Sequence, residues 1–168
     1  MKLKIMALTL MVLPVSLADL QLQQSIKEDL RGALTDLHSA LSSYEGGYLG
    51  LVRIRASMVN SRTTMNMLED WISNAPILDA EESAAVVNTS VELRGMFTEV
   101  MNIARVKVPL VKAAGQQDRM RTTLQPFYEQ DMRYGHALQA KMDPEQATAL
   151  KPIFDEGLGA YDAVFRAL

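Results

Sequence analysis

Ser61, Arg94 and Asp131 each interrupt an apolar stripe whose other members recur at steps of three and four residues. A cation and a carboxylate in such positions have two outcomes. If the stripes meet in one layer, Arg94 and Asp131 form a buried pair with Ser61 and Tyr134 as hydrogen-bond partners, which would fix helix register or line a polar ligand pocket. Otherwise Arg94 carries its head to water along its aliphatic stem and Asp131 sits at a stripe edge, the commoner fate of a charge on an apolar face. Arg62 joins the set because, with Arg53 and Arg55, it strings guanidinium groups along one helix, a chemistry suited to capturing a carboxylate. A solvated face is the plainer reading of those arginines. The candidate ligand-binding residues are therefore Ser61, Arg62, Arg94, Asp131 and Tyr134.

No catalytic constellation accompanies them. Covalent haem needs C-x-x-C-H, and the chain has no Cys. Di-iron bundles need Glu three residues before His, but Thr35 and Arg133 stand there before His38 and His136. H-E-x-x-H, G-x-x-x-x-G-K and G-x-S-x-G are absent. His38 and His136 both fall beside the apolar stripes, which places them at a helix edge or in solvent rather than as haem ligands. Met65-Asn66-Met67 has the thioethers that Cu(I) favours. Residues two apart on a helix do not face each other, however, and Met58 and Met65 belong to the core stripe. The expectation is a non-enzymatic protein without cofactor or metal.

Helices must position these residues, and the hydrophobic spacing is helical from Leu22 onward. Leu22, Ile26, Leu30, Leu34, Leu37 and Leu41 define a first helix from about Leu20 to Tyr44, ended by Gly46-Gly47. A second carries Leu51, Ile54, Met58, Met65, Leu68 and Ile72 and closes near Trp71 to Asn74, ahead of Pro76. Asp79 followed by Glu82 reads as a capping box that opens a third helix, with Pro109 expected to kink its last turns before Gly115. The fourth spans about Gln117 to Met142, and Pro126 marks either a kink or its true first turn. Asp143-Pro144-Glu145-Gln146 starts a fifth that continues to the C-terminus. There Pro152 suggests a bend, while Gly157 and Gly159 suit close approach to a neighbour. No segment alternates long enough to make a strand. The expected fold class is all-α, a single antiparallel helical bundle of four to five helices.

Ahead of the bundle, Lys2 and Lys4 precede the apolar run Ile5 to Val15, and Ser16 and Ala18 supply the small residues a signal peptidase needs. Residues 1–18 are thus expected to be a cleaved signal peptide and 19–168 the helical-bundle domain, starting at Asp19. The apolar run is shorter than a bilayer span, so no stable membrane span is expected after cleavage. About 150 residues remain, enough for one core without disulfides. The formal net charge of −3, more negative once Lys2 and Lys4 are gone, argues against a nucleic-acid partner. Cysteine-free export fits a bacterial periplasm, or secretion, and the Asn88-Thr89-Ser90 tripeptide falls inside a helix rather than in a glycosylated loop.

An arginine-bearing helix in an extracytoplasmic bundle resembles, in architecture, the four-helix sensor domains of bacterial chemoreceptors. That resemblance is one of architecture and implies a sensor-like four-helix bundle; the residues themselves offer a small-molecule reading, with an anionic ligand met by Arg53, Arg62 or Arg94. The leading expectation is different: a periplasmic binding or interaction protein, such as an accessory component of an envelope assembly. Either a protein partner or a small anionic ligand is expected, and a homo-oligomer is compatible with both.

Overall fold

The computed structural model describes residues 27–168, so the expected signal peptide and the start of the first helix lie outside the described residues. Five helices fill them: α1 over 27–42, α2 Tyr48–Asn74, α3 Ala80–Ala113, α4 Gln117–Gln139 and α5 Pro144–Ala167. The all-α expectation holds, and so do its punctuation marks. Gly46 and Gly47 make the α1–α2 turn at φ of 105° and 82°, a region closed to most side chains. Asp79 accepts from the Glu82 backbone at 2.9 Å while Glu82 accepts from the Asp79 backbone at 3.0 Å, completing the capping box. Asp143 caps α5 by accepting from Glu145 and Gln146.

Pro109, Pro126 and Pro152 all lie inside helices. Pro126 is therefore an interior proline and not a first turn. Pro109 and Pro152 stand on exposed faces, where water can take the carbonyl each one frees.

Consecutive helices run antiparallel, and α4 packs on α5, but the other main contacts join alternate helices. Lys27 and Arg31 of α1 pair with Glu92 of α3, and Lys107 of α3 donates to the carbonyls of Ser42 and Tyr44 past the end of α1. α2 lies parallel to α4 through Asn66–Gln130 and Lys141–Ala75 contacts, and α3 lies parallel to α5, its most extensive partner. Lys107 and Lys141 meet orphan carbonyls at a helix C-terminus, where the macrodipole favours a cation. Close approach of α4 to α5 falls at Gly135 rather than at Gly157 or Gly159. A Cβ at Gly135 would lie 2.8 Å from the Phe154 ring, whereas Gly157 has only Phe97 at 4.0 Å and Gly159 has open space.

Two apolar clusters close the ends of the bundle. One gathers Tyr44, Ile54, Val100, Val108, Val111 and Val164, and the other Ile72, Leu78, Leu138, Met142 and Leu150. α2 and α3 do not pack on each other along their lengths, although a short loop joins them. Between those two helices and between the two clusters lies a cavity.

Candidate functional site

The cavity has a volume of about 180 Å³ and takes side chains from all five helices. Leu34 and Leu37 come from α1, Met58 and Met65 from α2, Leu93 and Phe97 from α3, Phe127 from α4, and Phe154 and Leu158 from α5. Its wall is overwhelmingly apolar. A second void of about 90 Å³ adjoins it, sharing Leu30, Ser90, Leu93 and Tyr134 and ending at Trp71.

Polar groups enter this wall at few points, and four of the five sequence candidates are among them: Ser61, Arg94, Asp131 and Tyr134. Arg62 is not. It follows Ser61 by about 100° of helix turn, which carries it, like Arg53 and Arg55, to the exposed face of α2. Met65 and Met67 part in the same way, Met65 into the cavity wall and Met67 to the surface at 51% exposure.

Asp131 sits on the α4 stripe between Phe127 and Tyr134. Its Oδ2 accepts a hydrogen bond from the Tyr161 hydroxyl at 2.8 Å. Part of the residue's accessible surface is cavity wall rather than bulk-facing surface, so the carboxylate is poorly solvated despite being only half-buried. Desolvation raises its pKa to about 6, Glu69 on α2 adds to that rise, and the Tyr161 hydrogen bond opposes it. The Tyr134 and Tyr161 hydroxyls are themselves pushed up by burial and by the Asp131 charge, so both stay protonated donors. Tyr161 is held by its ring, 5.0 Å from Phe97 and 5.8 Å from Tyr128.

The pairing raised by the sequence, Arg94 with Asp131, does not form. Arg94 instead donates through Nη1 to Glu156 on α5, while its Nε is buried with no hydrogen-bond partner among the described residues. Both charges do face the interior, but each has found another helix: Asp131 the phenol of Tyr161, Arg94 the carboxylate of Glu156. Ser61 donates to the Ser57 carbonyl at 3.1 Å, which leaves its oxygen free to accept. Sequence reasoning missed the role of Tyr161, as it missed Ser90 and Glu156. The available signal was the polar tip of a buried tyrosine, which needs a partner.

Near the cavity, Gln130 is 3% exposed and bridges α4 to α2 by donating to Asn66 at 2.7 Å and to Glu69 at 3.3 Å. His38 meets Glu99 at 3.3 Å and His136 is exposed. Among the described residues no three His, Cys, Asp or Glu gather to hold a metal ion, and no helix is long and apolar enough to cross a membrane.

These features define a class: an all-helical bundle wrapped around an apolar cavity with one carboxylate in its wall. No family model matches the chain, and no curated protein matches it in sequence. Its fold is similar to ligand binding domain 1 of the MP1 protein of Penicillium marneffei, solved with arachidonic acids, at a TM-score of 0.82 and 15% identity over 89% of this chain and 97% of that one. AFMP4P in complex with palmitic acid is similar at a TM-score of 0.77 and 18% identity, over 86% and 97% of the two chains. Ligand binding domain 2 of MP1, with multiple arachidonic acids, gives a TM-score of 0.80 and 16% identity over 88% and 94%. At such identities the likeness is one of fold.

Proposed function

We propose that this chain is an exported, non-enzymatic protein that encloses the apolar tail of an amphiphilic small molecule, a fatty acid or related lipid. The observation that carries the reading is the cavity of about 180 Å³, lined by apolar side chains from every helix. An apolar tail seated against this lining removes its own surface and that of the wall from water, which favours binding. The complexes of the structural neighbours, with arachidonic and palmitic acids, support the same ligand class.

The cavity favours this reading over that of an envelope-assembly component. It also changes the expected ligand. Arg62 lies outside the cavity and Arg94 is offset by Glu156, so recognition of a small, fully polar anion lacks its cations, and the tail supplies the binding energy at about 0.8 kcal/mol per buried methylene.

Isothermal titration of the chain starting at Asp19 with a series of long-chain amphiphiles tests the proposal. Saturable binding that strengthens with tail length is expected; absence of binding across the series would sink it. Export is tested separately by N-terminal sequencing of the protein made from the full sequence. A start at Asp19 supports it, and a membrane-retained species beginning at Met1 overturns it.

A further inference from the structure

The neighbours were solved with carboxylic acids, yet this cavity has a carboxylate of its own in the wall. Asp131 shares the cavity wall with Ser61 on α2, Ser90 and Arg94 on α3, Tyr134 on its own helix and Tyr161 on α5; Glu69 on α2, paired with Arg133, adds a like charge, while α1 contributes only apolar side chains such as Leu34 and Leu37. Tyr161 already commits its proton to Oδ2. Glu156 already takes the charge of Arg94. An ionised carboxylate can only accept, so the second oxygen of Asp131, which takes no hydrogen bond among the described residues, is open to a donor from the ligand.

We infer that the Asp131–Tyr161 pair reads the head of the bound molecule, and that the cavity prefers amphiphiles whose head donates a hydrogen bond, such as an alcohol or amide, over those headed by an ionised carboxylate. This rests on the amphiphile-binding reading above. A hydroxyl placed against Asp131 forms a charge-assisted hydrogen bond in a poorly solvated setting. A carboxylate placed there meets Asp131 as a like charge, while Arg94 is already paired with Glu156 and Arg133 with Glu69. Once Asp131 is protonated it becomes a donor, and the penalty on a carboxylate head disappears. Burial brings that change to about pH 6.

The test compares 1-dodecanol with dodecanoate, by titration at about pH 8 and about pH 5, on either side of the Asp131 transition. At the higher pH dodecanol should bind at least about tenfold tighter than dodecanoate, and the gap should close at the lower pH. Asp131→Asn should erase most of the gap at the higher pH. Any pH effect that persists in Asp131→Asn belongs to the ligand's own carboxyl, so the difference between the two proteins isolates the contribution of Asp131. Tyr161→Phe keeps the carboxyl but removes the donor that favours its charge, so dodecanoate binding should recover at a higher pH than in the wild type. This second variant keeps the inference testable if Asp131→Asn folds poorly. Equal binding of both ligands by the wild type at about pH 8 overturns the head-group assignment and leaves the cavity reading standing. Preference for dodecanoate that is lost in Arg94→Gln overturns it in favour of the arginine. Failure of both ligands to bind at either pH overturns the cavity reading and the assignment together.

Discussion

The Tyr161 hydroxyl on α5 donates to the Asp131 carboxylate on α4 at 2.8 Å, joining the two helices across the cavity wall. A hydrogen bond to a charged group contributes about 1.5–3 kcal/mol. Tyr161→Phe should therefore destabilise the protein by about that amount at pH values above the Asp131 transition, and by less below it. Urea unfolding on both sides of about pH 6 measures the difference. An equal loss at both pH values would mean that the phenol contributes by packing alone.

Asp131 also sets a pH dependence with a definite sign. Its folded-state pKa of about 6 lies above the ordinary 3.8, so between those values the folded state holds more protons than the unfolded one. Stability contributed by this group therefore falls as pH rises through that window. Full expression of the shift corresponds to about 3 kcal/mol. Asp131→Asn lacks the ionisation, so it should gain on the wild type as pH rises from about 4 to about 7 and then hold a constant lead. Parallel denaturation curves for the two proteins, with no pH-dependent divergence, would show that the carboxylate is well solvated.

Gly157 lines the cavity, and Gly135 backs one of its wall residues, Phe154. A side chain at Gly157 points past Phe97 at 4.0 Å into the cavity, so Gly157→Leu should fill it, while the helix gains up to about 1 kcal/mol in propensity. The expected phenotype is a stable protein with weakened dodecanol binding. Gly159→Ala, with open space around its Cβ, is the control that gains stability and keeps binding. If Gly157→Leu binds as the wild type does, the tail lies elsewhere.

Gly135→Ala, by contrast, sets a Cβ 2.8 Å from the Phe154 ring. The ring must yield, and the cavity it lines is the space that can take it. A loss of about 1–3 kcal/mol is expected, together with weaker ligand binding. Thermal unfolding and titration of the same variant read both effects; an unchanged melting temperature would mean α4 and α5 can separate freely.

Trp71, the one tryptophan of the chain, lines the smaller void beyond Tyr134. A tail of about eight carbons can stay within the larger cavity, whereas one of about sixteen must seek further apolar space. Only the longer should shift Trp71 emission to the blue. Identical spectra with both chain lengths would mean Tyr134 keeps the two voids apart.

Much of this protein was legible along the chain because helices are written locally. The Asp79–Glu82 box, the Asp143-Pro144 start and the Gly46-Gly47 stop act within a few residues of themselves, and each works as the sequence indicates. Stripe positions likewise sent Ser61, Arg94, Asp131 and Tyr134 inward, since a step of three or four fixes a face. Partners were a different matter. Whether Arg94 would meet Asp131 or Glu156 depends on which helix lies opposite, and that follows from the parallel seating of α3 on α5, 62 residues apart at this contact. The cavity was further still from view. A void is a shortfall of side-chain volume summed over five helices, and no single stripe records it. For that reason an apolar face reads the same in sequence whether it meets a neighbour or encloses a space, and only the assembled bundle separated Leu41, 3% exposed in the core, from Leu34 and Leu37 on the cavity wall.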